Sequence, residues 1–194
     1  MTTALAQCAG TAVAAPLQPF QSGSGERQGH LLSWRHIDSS RLNVPPIQIE
    51  FRSRLTAPPA DVWRWITSFQ GIATEMRPVM RMSVPRGVRR LTDVDVVPGQ
   101  PLFFSWILLF CVLPVDWSRL TLLEIDEGRG FVEQSPMGSM RTWRHERRIE
   151  AAENGCALID RLSFEPRFAA PLVAWFVRRF FAHRHAVLRK HLGA

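Results

Sequence analysis

Apolar residues recur with a helical period near the end of the chain, between Pro171 and Leu192. At about 100° per residue, one side of this segment collects apolar residues and the other collects basic ones. The apolar side comprises Val173, Val177, Phe180, Phe181, Val187 and Leu188, and the basic side comprises Arg178, Arg179, His185 and Arg189. Arg184 is an exception, because it falls on the apolar side. The pattern predicts a long amphipathic helix with one arginine directed at the layer it packs on.

The preceding segment predicts one strand, two short helices and then a series of strands. Ile47–Thr56 alternates between apolar and polar residues, as a half-buried strand does. A helix then begins near Pro58, Gly71 ends it, and a second helix extends to Met76. Further strands are predicted at Val79–Pro85, Phe103–Leu113, Arg119–Asp126, Gly130–Gln134, Arg141–Ala151 and Cys156–Phe164. Turn signals such as Asn154-Gly155 separate the last four strands, which predicts an α+β fold with one antiparallel sheet of six to seven strands.

The first 46 residues have the composition of a flexible extension, which leaves 47–194 as one domain. Gln21–Gly29 is rich in Gly, Ser and polar residues, as flexible linkers are. The start of the chain lacks the basic and strongly apolar regions of a secretory signal. The most apolar window, Pro101–Val115, is too short to cross a bilayer. We therefore expect a cytoplasmic protein.

Basic residues outnumber acidic ones by 24 to 17, which gives a formal net charge of +7. Apart from Arg141–Arg148 and the last helix, these residues are scattered, and no nucleic-acid-binding motif accompanies them. Nucleic acid is therefore not an expected partner.

The spacing of cysteine and histidine indicates no metal site, and no cofactor motif is present. The cysteines are Cys8, Cys111 and Cys156, and the histidines of the last helix are His183, His185 and His191. The cysteines are too far apart to form a metal-binding pair. The three histidines do not converge on one point, so we place them in solvent or at the rim of the fold.

Strand alternation shows which polar residues share a face of the sheet. Trp143, His145 and Arg147 lie on the face that carries the large apolar residues, and that face should cover the last helix. By the same test, Glu133 and Asp160 point to this side from the two neighbouring strands.

A buried guanidinium needs a carboxylate or a bound anion near it. We therefore expect Arg184 to be buried and hydrogen bonded to Asp160 or Glu133. The alternative is that the side chain of Arg184 extends along its apolar neighbours and places the charge in solvent.

The order of elements resembles the helix-grip fold of the SRPBCC superfamily, which includes START domains, birch-pollen-allergen-like proteins and polyketide cyclases. One branch of small bacterial members carries a motif like F-x-D-x-Q-x-x-G-P-F-x-x-W-x-H-x-H-x-F. The corresponding residues here are Phe131, Glu133, Ser135, Gly138, Ser139, Met140, Trp143, His145, Arg147 and Ile149. The spacing is kept, although Glu replaces Asp, Ser replaces Gln and Pro, and Arg147 replaces the second His. The resemblance covers about Ile47 to Leu192 and includes Asp160-x-Leu162-x-Phe164 and Phe181-x-x-Arg184.

The resemblance implies a curved sheet wrapped around the last helix, with a ligand cavity between them. Most members of this branch have no established ligand, so the family implies a site without a substrate. We expect a cavity of at least about 300 Å³. The candidate ligand-binding residues are Glu133, Trp143, His145, Arg147, Asp160, Arg184, Trp106 and Phe180.

Three interpretations of the buried polar residues stay open. They form a self-satisfied network that fixes the position of the helix, or an arginine holds a carboxylate or enolate of an apolar ligand. In the third interpretation His145 is a general acid or base oriented by Glu133 or Asp160.

The function we expect is binding of a small hydrophobic ligand, which could be lipid-, polyketide- or aromatic-like. One alternative is a polyketide cyclase or dehydratase that uses the same cavity. Another is a lipid carrier at a membrane surface that is contacted through Pro101–Val115, a partner that the sequence does not favour.

Overall fold

The computed structural model describes residues 45–193, and the predicted flexible extension therefore lies almost entirely outside the described residues. Strand β1 (Ile47–Leu55) leads into helices α1 (Pro59–Thr67) and α2 (Phe69–Met76). Six more strands follow before the final helix. They are β2 (Met80–Met82), β3 (Pro101–Leu109), β4 (Leu113–Asp126), β5 (Gly130–Gln134), β6 (Met140–Ala152) and β7 (Gly155–Pro166). Helix α3 (Ala170–Leu192) ends the domain.

The strands form a single curled antiparallel sheet with the order β1-β7-β6-β5-β4-β3-β2. Each strand from β2 to β7 pairs with its neighbour in the sequence, and β1 closes the order by pairing with β7. Helix α3 packs against β1 and β7 on the concave side and against α2. The structure therefore confirms the predicted α+β helix-grip architecture, with seven strands and two short helices after the first.

The β3–β4 turn is the main departure from the predicted strands. The apolar run that ends at Val115 was expected to form one strand to Leu113, but β3 ends at Leu109 and β4 begins at Leu113. Phe110 and Cys111 adopt positive φ angles of 48° and 65°, and Phe110 donates its N–H to the carbonyl of Val79 at 2.8 Å. Because this turn contains neither glycine nor asparagine, its residues carry no turn signal.

The remaining strand departures are smaller. The strand expected over Val79–Pro85 is reduced to Met80–Met82, and the ends of the other strands move by a few residues. No helix among residues 45–193 is long and apolar enough to span a membrane.

The buried apolar residues divide into two clusters on either side of a set of buried charges. The first cluster includes Leu158 and Leu188, and the second includes Leu162 and Phe181. Along β7, Asp160 lies between Leu158 and Leu162. Along α3, Arg184 and His185 lie between Phe181 and Leu188. The charges are therefore part of the interior, and each must find its partners there.

Candidate functional site

Arg147 is the centre of the buried charged network, and its side chain has no exposed surface. Its Nε and Nη2 atoms donate to Asp160 at 2.6 and 2.7 Å. Its Nη1 and Nη2 atoms donate to Glu75 at 3.2 and 3.0 Å. One guanidinium thus joins strand β7 to helix α2 through two bidentate contacts, which is a geometry that lysine cannot provide.

Arg184 is buried, as predicted, but the prediction that its partner is Asp160 or Glu133 is wrong. Its Nε and Nη2 atoms donate to Glu75 at 3.1 and 2.7 Å. The guanidinium also lies over the rings of Phe181 and Phe180, with 4.9 and 5.9 Å to the centroids. The prediction considered only the carboxylates on the strands of the sheet, whereas the carboxylate that binds Arg184 belongs to α2.

Glu75 is the residue that the sequence analysis missed. It is fully buried, and it also accepts a hydrogen bond from Trp65 Nε1 at 3.0 Å. Its position three residues after Ile72 and directly before Met76 places it near the apolar side of a short helix. That spacing was the available signal for a buried acid.

Asp160 joins two histidines to the network. His145 Nε2 lies 3.0 Å from Oδ1, and His185 Nε2 lies 3.0 Å from Oδ2. His185 Nδ1 is in turn 2.8 Å from Ser53 Oγ. The prediction that His185 lies in solvent or at the rim is wrong, because β1 covers the side of α3 that carries it. The sheet wraps more of the helix than its apolar stripe indicates.

The network holds its two central acids in the charged form. Burial alone would raise the pKa of Asp160, but the charges and hydrogen bonds of Arg147 and His145 keep that pKa well below its ordinary value of 3.8. Burial opposes ionisation of Glu75 in the same way, and the charges of Arg147 and Arg184 outweigh it and lower its pKa. Two acids and two arginines therefore balance in charge.

A cavity of about 530 Å³ lies between the sheet and α3, and it is larger than the predicted minimum. Most of its wall is aliphatic, aromatic or thioether. Apolar wall residues include Phe69, Ile72, Met76, Met80, Leu120, Phe131, Trp143, Val173, Phe176 and Phe180. Such a wall favours a hydrophobic occupant, because water beside it would find few hydrogen-bond partners.

One polar patch of this wall comprises Glu133, His145 and Arg184, beside the fully buried Arg147, and Asp116, Ser118 and Ser139 also line the cavity. Glu133 Oε1 accepts from Ser135 at 2.6 Å, while Glu133 Oε2 lies 3.7 Å from His145 Nδ1. Arg184 donates hydrogen bonds from Nε and Nη2 to Glu75, and no described residue accepts one from its Nη1. Arg184 lines the cavity, which leaves Nη1 as the donor that it can offer to an occupant. One donor and one acceptor are therefore available to an occupant.

The structure brings most of the predicted site residues together at the cavity. Glu133, Trp143, His145, Arg147, Arg184 and Phe180 line it, although Arg147 has no exposed surface, while Asp160 lies behind the wall and holds Arg147 and His145.

The prediction that Trp106 belongs to this site is wrong. Its side chain is 51% exposed on the outer face of β3, whereas Ser105 and Ile107 on either side of it point inward and are buried. The aromatic content of the segment suggested a cavity lining, but strand alternation puts Trp106 on the opposite face.

Solved structures with the same arrangement of elements confirm the fold. A protein from Chromobacterium violaceum is 15% identical, with a TM-score of 0.59 over 77% of this chain and 99% of its own. The Zhui aromatase/cyclase from a Streptomyces species is 12% identical, with a TM-score of 0.57 over 76% of this chain and 93% of its own. Ara h 8.0201 is 11% identical, with a TM-score of 0.53 over 76% and 97%. At these identities the likeness concerns the fold alone, which is the predicted helix-grip fold.

The chain belongs to the family described as "Domain of unknown function (DUF8410)", whose sequence profile matches residues 53–192. The match begins within β1 and includes every residue of the charged network that lies on α2, β6, β7 and α3. A comparison with curated proteins found no significant match.

Proposed function

We propose that this protein binds a small, mainly hydrophobic molecule that carries one polar group. The observation that supports this most directly is the mainly apolar cavity with the polar patch of Glu133, His145 and Arg184 on its wall. An apolar wall favours a ligand through burial of its surface, and a few fixed polar groups set its orientation.

The polar group of the ligand would be an acceptor oxygen such as a carboxylate, an enolate or a phenol oxygen. Arg184 Nη1 supplies a charged donor for it, and Glu133 Oε2 can accept from a hydroxyl beside it. Both are held before a ligand arrives, Arg184 by Glu75 and Glu133 by Ser135. Preorganisation of this kind reduces the ordering cost of binding.

The buried network has a supporting role in this proposal. Arg147 and Asp160 have no exposed surface, so they hold His145 and Glu75 in place instead of contacting the ligand. The self-satisfied network and the ligand site are then two parts of one arrangement.

Two dyes with the same aromatic body test the proposal. Anilinonaphthalene sulfonate is anionic, and phenylnaphthylamine is neutral. Loss of a charge-assisted hydrogen bond in Arg184→Gln should weaken binding of the anionic dye about tenfold and change binding of the neutral dye little. Arg144→Gln, on the outer face of β6, is the matched control and should change neither.

A second pair of variants tests whether the dyes occupy this cavity. Val173 on α3 lines the cavity, and Ala182 on the same helix is exposed. Val173→Trp should reduce binding of both dyes, whereas Ala182→Trp should not. Unchanged dye affinity in Val173→Trp, with the fold intact by circular dichroism, would refute ligand binding at this site.

A reaction in the same cavity is the second candidate, and the position of His145 favours it. One imidazole nitrogen faces Asp160 and the other faces Glu133 at the cavity wall, which suits a group that transfers protons. The fold is also shared with a protein named an aromatase/cyclase. Cyclisation or dehydration of a synthetic poly-β-keto thioester by the wild type, lost in His145→Asn while dye binding remains, would establish this function. Absence of turnover in the wild type would leave binding alone.

A further inference from the structure

Two segments beside the cavity expose large apolar side chains at the protein surface. One is the β3–β4 turn, and the other is the start of α3. Six of their residues, which we call the mouth rim, are each more than half exposed: Phe110, Val112, Leu113, Phe168, Leu172 and Trp175. Phe168, Leu172 and Trp175 also line the cavity, as do Leu109 and Val115 next to the turn. The mouth rim therefore surrounds the opening of the cavity.

The backbone holds these side chains outward. The turn is anchored by the Phe110 N–H bond to Val79 and by the bond from Val112 N–H to the Leu109 carbonyl at 3.2 Å. Ala169 begins α3 with a positive φ of 46°. A patch of this kind, built from ordered backbone, marks an interaction surface because its exposure to water is unfavourable.

The charged residues at the start of α3 are basic, although one acid, Asp116, follows the turn and lines the cavity. Pro101–Val115 contains no charged residue, and no acid follows Glu165 in the chain. Arg178 and Arg179 follow Trp175 by three and four residues, so they lie on its side of α3 one turn further along. Both are exposed, and neither forms an ion pair with a carboxylate of residues 45–193.

The turns at the other end of the sheet carry charges of both signs. Strand β4 extends from the mouth rim to the β4–β5 turn, where Glu127 and Arg129 are exposed, and Glu153 is exposed in the neighbouring β6–β7 turn. An anionic surface would therefore attract the mouth more strongly than these turns.

We propose that the mouth rim docks on the surface of an anionic lipid bilayer. The apolar side chains enter the boundary between headgroups and acyl chains, and Arg178 and Arg179 contact lipid phosphates. Aromatic and aliphatic side chains beside arginines are the composition of interfacial membrane-binding surfaces. The cavity then opens directly toward the lipid. This surface is separate from the polar patch, so docking does not require an occupied cavity.

Vesicle sedimentation of the full chain tests this docking. Vesicles of equal parts phosphatidylcholine and phosphatidylglycerol should bind the protein, and binding should weaken as salt is raised. Pure phosphatidylcholine vesicles should bind it at least about tenfold more weakly, because the contribution of the arginines is lost.

Two matched pairs of variants locate the contact. Phe110→Ser with Trp175→Ser should reduce the partition coefficient at least about tenfold, whereas Phe104→Ser with Trp106→Ser removes two exposed aromatic residues from the outer face and should leave it unchanged. Arg178→Gln with Arg179→Gln should reduce binding to the anionic vesicles about tenfold. Arg54→Gln with Arg129→Gln removes the same charge near the opposite turns and should have little effect.

Three outcomes would overturn the proposal. The first is absence of binding to anionic vesicles by the full chain, which would mean that the mouth rim is covered or inert. The second is equal loss of binding in the mouth-rim and outer-face variants. The third is a concentration-dependent dimer in analytical ultracentrifugation that only the mouth-rim variants abolish, which would make a second copy the occupant. Dye binding in the cavity is measured separately, so failure of docking and failure of ligand binding are distinguishable.

Discussion

Arg184 donates two hydrogen bonds to the same carboxylate oxygen of Glu75, and these two residues join α3 to α2 across the interior. The pair is part of the buried charged network, because Arg147 donates to the same carboxylate and also to Asp160. The helix that covers the cavity is thus held in place by charge as well as by apolar packing.

Replacement of Arg184 by methionine should destabilise the fold strongly, because it removes one of the two cations that neutralise Glu75. Breaking a buried pair from one side typically costs about 3–5 kcal/mol, and urea unfolding measures the loss. Arg179→Met, on the exposed side of α3, should change stability by no more than about 0.5 kcal/mol. Arg184→Met combined with Glu75→Gln should cost less than the sum of the single changes, because the remaining Arg147–Asp160 pair is balanced. Strict additivity would contradict coupling between the two residues.

Stability should fall as the solution becomes acidic. The pKa values of Glu75 and Asp160 are lowered in the folded protein from ordinary values of 4.5 and 3.8. Their contribution is therefore complete above those values and is lost as pH falls through the lower folded-state pKa values. Urea unfolding at a series of pH values from neutral to strongly acidic should show this loss. A shallower acid slope is expected for Glu75→Gln, and the slope for Glu127→Gln, in an exposed turn, should equal that of the wild type.

Gly155, the first residue of β7, should tolerate substitution far less well than Gly128, which lies in the β4–β5 turn. Gly155 has a φ of 113°, and a Cβ atom there would lie 2.0 Å from the carbonyl oxygen of Leu55. Gly128 has a φ of 76° with open space around it. Gly128→Ala should therefore cost about 1 kcal/mol for backbone conformation alone, and Gly155→Ala should cost clearly more, since β1 must also move. Thermal denaturation of the two variants measures this difference. Equal melting temperatures would show that the contact between the new Cβ atom and the Leu55 carbonyl oxygen does not destabilise the fold.

Trp106 and Trp143 should behave differently in ligand binding, although both are tryptophans on strands. Trp143 lines the cavity, and Trp106 lies on the outer face. Trp143→Ser should weaken binding of the neutral dye by about tenfold or more, since a large apolar wall residue is lost. Trp106→Ser should bind the dye as the wild type does. A dye affinity that depends on Trp106 would place the binding site on the other side of the sheet.

The fold was predictable because its signals are local. Alternation identified the inward face of β6, Asn154-Gly155 marked the β6–β7 hairpin, and the period of the last segment gave α3 almost to the residue. Strand alternation also identified His145 and Arg147 as inward-facing. Each of these inferences needs only the nearest neighbours along one element.

The errors arose where two elements meet. Glu75 lies on a helix of eight residues, too short for its buried face to stand out in the sequence, so the partner of Arg184 was assigned to the sheet instead. His185 belongs to the polar side of α3, and only the curvature of the sheet shows that β1 covers it. The face of Trp106 follows from the register of β3, which the uninterrupted apolar run concealed.

The polar contacts that hold α3 are unevenly distributed along its length. Arg184 and His185 are tied to the buried acids, Arg189 donates to Ser53 at 2.9 Å, and the Leu192 carbonyl accepts from Ala57 N–H at 2.9 Å. Before Arg184, side-chain packing against the sheet is apolar. We therefore expect the first half of the helix to open locally more often than the second half. Backbone amides between Val173 and Phe180 should exchange with deuterium faster than those between Arg184 and Lys190. The rate at which a molecule enters or leaves the cavity would then be set by opening of the helix start and not by rupture of the charged network.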